Sequence, residues 1–268
     1  MTIIDYDNIE NWGVIIGEAI AGLKEVCLTA DLARSQPELI DDARESVYRR
    51  LGRDRVIDAI ATTLQGAGVR LYHGTRLTDA EIGMVRQQGL KPLRLADRAE
   101  RIADIIRQHP NWSQVADRFP DAIDYYGRRN GGGVREDQRV HACFSRSGLL
   151  RGCTHYLTEG AEVDGLVAHR LFGDASADEL FRRERNPYLV SFVVPFDVAA
   201  VGTNRYAGLE RAREIIIDQL VASWAYQQAH PDFQVTKLRD CWAAAIPGVI
   251  EPDRLSIEPV DGSDLHGR

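Results

Sequence analysis

Val69-Arg-Leu-Tyr-His-Gly-Thr-Arg-Leu-Thr-Asp-Ala-Glu-Ile-Gly-Met-Val-Arg-Gln-Gln-Gly-Leu-Lys-Pro-Leu93 is the stretch from which the rest of the chain is read. Val69, Leu71 and His73 alternate with Arg70 and Tyr72, which is the period of a short strand. Gly74 is expected to break that strand. Thr78, with Glu81 three residues on, forms a capping box, and Ile82, Val85 and Arg86 follow at helical spacing. Gly89 then stops the helix. The pattern is a strand ending in His-Gly-Thr, a helix, and Gly89-Leu90. His73 is placed at a strand end, where loops build sites on a rigid scaffold. Taken alone, it is either a functional side chain or a hydrogen-bonded histidine beside a turn.

With 268 residues, 44% hydrophobic and 27% charged, the chain has the composition of a soluble globular protein of one large domain or two ordinary ones. No apolar run approaches the ~20 residues of a membrane span. Asp5, Asp7 and Glu10 replace the basic start of a signal peptide, and Cys27, Cys143, Cys153 and Cys241 are scattered. Both features point to a cytoplasmic protein with reduced thiols. A formal net charge of −7 excludes a uniformly basic nucleic-acid surface. Local arginine clusters remain: Arg49, Arg50, Arg53 and Arg55 form one, and two more, at Arg182, Arg183 and Arg185 and at Arg128 and Arg129, flank segments of interest. They read either as solvated charges or as a phosphate-binding rim for a polyanionic acceptor.

Residues 1–66 read as helices, with an apolar stripe at Ile15, Ile16, Ala19, Ile20 and Leu23. They carry no catalytic constellation, and a helical cap or partner-binding module is expected there. Residues 94–138 are an insertion, helical over 96–108, ending in the triple glycine 131–133, expected to be a mobile loop. No strand-glycine-helix frame surrounds that triplet, which excludes a dinucleotide fingerprint of the usual kind. Residues 139–146 alternate as a strand, and 148–171 read as helix, loop and helix. Residues 188–195 form the clearest buried strand. Glu214 leads into Ile215-Ile-Ile, read as another strand, and Leu255-Ser-Ile-Glu-Pro-Val is the last.

Strand-His73-Gly74-Thr75, then Phe144-Ser145 at a strand end with Tyr156 a dozen residues on, then Glu214 before an apolar run, resembles the ADP-ribosyltransferase superfamily in its His-Tyr-Glu branch. That branch is shared by diphtheria-type toxins and poly-ADP-ribose polymerases. The resemblance covers roughly residues 69–260. It implies an α+β fold, a split β-sandwich of two small, mostly antiparallel sheets, with a helical segment over 1–66 and a catalytic domain over 67–268. It implies transfer of ADP-ribose from NAD, with nicotinamide released and no metal required. His73 would bond a ribose hydroxyl, the Gly74 backbone the nicotinamide amide, and Tyr156 would stack on the nicotinamide ring. Glu214 would hold the ribose 2′-hydroxyl and stabilise the oxocarbenium-like transition state. Thr75 and Ser145 are second choices for ribose and ring contacts.

Several alternatives stay open. Glu210 rivals Glu214 but reads as a solvated face beside Arg211 and Arg213. Ala212 stands where members acting on arginine carry an acidic or glutamine residue, which argues against arginine as acceptor. Protein, nucleic acid and small molecule remain, as does water, which would make the protein an NAD glycohydrolase. A toxin or defence role is compatible with each. His141-x-Cys143 and Cys153-x-His155 offer a different class, a zinc-stabilised or non-catalytic binding module.

Overall fold

The computed structural model describes residues 2–23, 28–129, 138–173, 176–204, 206–238 and 242–261. In chain order, strand β1 (Ile3–Ile4) precedes helices α1 (Ile9–Ala21), α2 (Leu28–Ser35), α3 (Ile40–Leu51) and α4 (Arg53–Thr63). Strand β2 (Gly68–Leu77) and helix α5 (Asp79–Gln88) follow, then α6 (Leu95–Ile106), α7 (Trp112–Val115) and α8 (Phe119–Arg129). Strand β3 (Arg139–Cys143) leads to α9 (Arg146–Gly152), α10 (His155–Thr158), α11 (Glu162–Phe172) and α12 (Ser176–Glu184). Strand β4 (Asn186–Pro195), helices α13 (Phe196–Thr203) and α14 (Leu209–Ala229), and strands β5 (Ala243–Pro247) and β6 (Leu255–Pro259) complete the described elements.

The class is mixed α+β. Among the described residues the strands make one six-stranded sheet in the order β5-β3-β2-β4-β6, with β1 on β2, where the resemblance implies two sheets. Strand β1 runs parallel to β2 from Ile3↔Gly68, and β4 runs antiparallel to β6 from Tyr188↔Pro259 to Phe192↔Leu255. Two compact units are resolved. The first comprises Met1–Leu71, Cys143–Gly148 and Val193–Ala244, and the second Tyr72–Ala142, Leu149–Phe192 and Ala245–Arg268.

In the first unit α14 is the central helix and packs against α1, α2, α3, α4 and α13. Its buried positions include Ala212, Ile216, Ile217, Leu220, Val221, Trp224 and Ala225. They recur every three or four residues, so the Ile215-Ile-Ile run is helix and not the expected strand. A short apolar run is ambiguous by itself; the 21-residue length and the extended period decide it here. Tyr6 closes the base of this unit: its ring stacks on Trp12 at 6.0 Å, and its hydroxyl lies 2.8 Å from that of Ser223.

In the second unit the 94–138 insertion builds a core. Ile102, Ile105 and Ile106 of α6 cluster with Ala122 and Tyr126 of α8, Val163, Val167, Ala168 and Leu171 of α11, and Phe181 of α12. The triple glycine lies outside the described residues. The Thr78–Glu81 capping box forms as the sequence specifies: Glu81 N–H donates to Thr78 Oγ1 at 3.2 Å, and Thr78 N–H to Glu81 Oε2 at 2.9 Å. Gly89 has φ +80, and Leu90 bridges Ile250 directly beyond it.

Candidate functional site

Strand β2 does not end at His73. It continues unbroken through Gly74 and Thr75 to Leu77. Glycine inside a strand marks close approach of a neighbour, and here the neighbours are leucines. A Cβ at Gly74 would stand 3.1 Å from Leu149 and 3.2 Å from Leu157. Leu157 is fully buried on the short helix α10. Two residues along β2, Arg76 donates from Nη1 to the Leu157 carbonyl at 2.9 Å. The same strand therefore seats α10 twice, through a missing side chain and through a guanidinium. That helix carries Tyr156.

His73 and Tyr156 consequently line one cleft of about 750 Å³, with Gly74 and Thr75 beside them. The size falls in the range of small-molecule sites, roughly 300–1,000 Å³. The Tyr156 ring lies 4.0 Å from that of His155. His73 is half-buried, and its Nδ1 lies 2.7 Å from the His141 carbonyl oxygen on the neighbouring strand β3. A carbonyl has no proton to give, so Nδ1–H donates and Nε2 of the neutral ring is the acceptor. Burial holds the imidazole below the ordinary histidine pKa, and the His141 carbonyl opposes that shift. The neutral, Nδ1-protonated ring is thus the form present at physiological pH.

The opposite wall is α6, and beneath it lies a buried charge cluster. Asp164, fully buried on α11, accepts from Arg98 Nε at 2.8 Å and also from Arg98 Nη2 and Arg185 Nη1. Glu81 lies 3.2 Å from Arg185 Nε and 3.6 Å from Arg98 Nη1. Charges this deep persist only when paired, and the pairing ties α5, α6 and α11 to the strand entry at Arg185. Arg185 is 1% exposed, so it is not part of a phosphate-binding rim. Arg182 and Arg183 are on α12 and pair with Glu179 and Glu184. Residues 128 and 129 belong to helix α8.

Two of the sequence-expected residues do not line this cleft; both belong to the first unit. Ser145 is 3% exposed and works ahead of α9: its hydroxyl donates to Asp7 Oδ1 at 2.6 Å and accepts from Gly148 N–H at 2.8 Å. Glu214 sits in the second turn of α14 and not at the start of a strand. It accepts from Arg211 Nη1 at 2.5 Å and from Arg53 Nη2 at 3.0 Å. The Arg211 hydrogen bond does most to lower its pKa; burial opposes it, and the Arg53 hydrogen bond and the charges of both arginines add to the lowering. Glu210 is exposed on the same helix. The strand following the long helix is β5, Ala243–Pro247, and residues 239–241 ahead of it lie outside the described residues.

Among the described residues, no three His, Cys, Asp or Glu side chains are grouped as metal ligands, so His141, Cys143, Cys153 and His155 do not form the four-ligand set that their spacing suggested. No described helix is long and apolar enough to cross a membrane. The residues that the sequence reading passed over are Arg76, which seats α10, and the α6 charges, whose i, i+3, i+7 spacing from Arg94 through Asp97 to Arg101 was already visible as a polar stripe opposite the isoleucines. No family model matches the chain, and no curated protein or solved structure matches it.

Proposed function

We propose that this cleft binds the nicotinamide-ribose end of NAD, and that the protein is an ADP-ribosyltransferase-like variant that transfers ADP-ribose to an acceptor. The observation that carries the reading is the joint presence of His73 and Tyr156 in one cleft, with Nδ1 of His73 committed to a backbone carbonyl. Nε2 is then an acceptor for a ribose hydroxyl, and the backbone of Gly74, which lines the same cleft, is the partner the resemblance gives to the nicotinamide amide. The Tyr156 ring offers a π-face to nicotinamide, whose positive charge in NAD favours such a contact. In the reaction the glycosidic C–N bond breaks, and its electron pair stays on nicotinamide nitrogen. The acceptor's nucleophile bonds the anomeric carbon and gives up its proton; with water as acceptor the product is free ADP-ribose. The resemblance gives the carboxylate role to Glu214, which Arg211 and Arg53 hold ionised on α14 and which does not line this cleft.

A second reading, an NAD-binding module without catalysis, is favoured by the same ion pairs. They already compensate the charge that would have to act on the transition state, and they place it on a helix. Calorimetric titration with NAD, followed by an assay of nicotinamide release, tests both. Binding with release supports transfer or hydrolysis, and label on protein, nucleic acid or neither names the acceptor. Glu214→Gln tests the role the resemblance gives it: NAD affinity kept with release lowered about 100-fold supports that role, and release equal to the parent removes it. Binding without release from the parent protein supports the module. No NAD binding by the parent protein ends the proposal.

A further inference from the structure

Helix α6 turns its isoleucines to the core and its charges to the cleft, where Arg94, Asp97, Arg98, Glu100, Arg101 and Asp104 all line the wall. The cluster around Glu81 and Asp164 beneath them is not balanced. Glu81 and Asp164 supply two negative charges to the buried cluster, while Arg98, Arg185 and Arg101 supply three positive ones. Arg101 is the surplus member. Its closest carboxylate oxygen is Glu81 Oε1 at 3.9 Å, and Glu81 is already engaged by Arg185, by Arg98 and by the Thr78 N–H. The Arg101 side chain is 40% exposed, whereas those of Arg98 and Arg185 are 6% and 1%. An arginine fork that lines a cleft, with its nearest counter-charge shared among several donors, is a binding group for an oxyanion. Asp97 and Glu100 on the same wall suit the neighbouring chemistry, since carboxylates accept from ribose hydroxyls.

We infer that Arg101 is the diphosphate-binding side chain of this cleft, so that helix α6 supplies the part of the site that recognises the ADP portion of the substrate. The inference rests on the NAD reading of the same cleft and adds the residue that reads the phosphates.

Calorimetric titration of the full chain with NAD, ADP-ribose and nicotinamide riboside separates the two claims. Arg101→Ala, checked for a parental far-UV circular dichroism spectrum, is expected to weaken NAD and ADP-ribose alike by about tenfold or more, the worth of a charge-assisted hydrogen bond. Nicotinamide riboside, which has no phosphate, binds unchanged, and Arg101→Lys recovers part of the loss. NAD binding by Arg101→Ala equal to that of the parent overturns the inference and leaves the NAD reading standing. A parent that binds ADP-ribose through Arg101 but not nicotinamide riboside keeps the anion site and removes the NAD reading. A parent that binds none of the three overturns both.

Discussion

Replacing Asp164 with asparagine tests whether the buried charge cluster holds the cleft wall in place. Asp164 is fully buried and receives three arginine donors, two from Arg98 and one from Arg185. Asparagine keeps the shape but loses the charge, and its amide nitrogen would face a donor in place of an acceptor. Two buried guanidinium groups would then share Glu81 alone, at 3.2 to 3.6 Å. Removing one partner of a buried pair costs about 3–5 kcal/mol, because the survivor's charge stays desolvated. With a urea dependence of about 2 kcal/mol per molar, the unfolding midpoint should fall by roughly 2 M. Asp104→Asn is the control, since it loses only an exposed pair with Arg107, 60% and 71% exposed, worth about 0.5 kcal/mol. Urea unfolding followed by circular dichroism compares the two. A midpoint for Asp164→Asn within 0.3 M of the Asp104→Asn value would refute the role given to the cluster.

Gly89→Ala should lower the thermal midpoint by roughly 5 °C or more, because φ is +80 and a Cβ would stand 2.2 Å from the Ile250 carbonyl oxygen; a calorimetric shift under 1 °C contradicts this. His73 has a folded pKa below its ordinary value of about 6.5, so protons favour the unfolded chain. Its contribution to stability is full above about pH 6.5 and declines as pH falls toward the lowered folded value; His73→Gln should flatten that part of the stability–pH curve. NAD binding through a neutral Nε2 should likewise be level from pH 7 to 9 and weaken below the folded pKa, as titrations across pH will show. Arg76→Met should weaken NAD binding about as much as Tyr156→Ala if Arg76 acts by seating α10; unchanged affinity would make it a structural clasp alone.

Local chemistry written along one segment was legible in the sequence. Thr78 and Glu81 are three residues apart and need no distant partner to form their capping box, so the helix start was fixed by the residues themselves. The strands at 69, 139, 188 and 255 were legible because alternating or continuous apolar runs bounded by turn residues have few other solutions. The pairing of His73 with Tyr156 was expected from a resemblance, but the reason for it is tertiary. Leu157 fills the space left at Gly74, and Arg76 takes the Leu157 carbonyl, contacts between segments some 80 residues apart. Ile215-Ile-Ile misled because three apolar residues suit a strand and a buried helix equally. The apolar positions continued over 21 residues, packed against helices from the first 66 residues, decide between them. Alanine-rich β5 gave no strand signal, since its pairing rather than its side chains makes it a strand. The Arg182, Arg183 and Arg185 cluster shows the same limit: charge is visible in sequence, but whether a guanidinium faces solvent or Asp164 depends on which helices close over it.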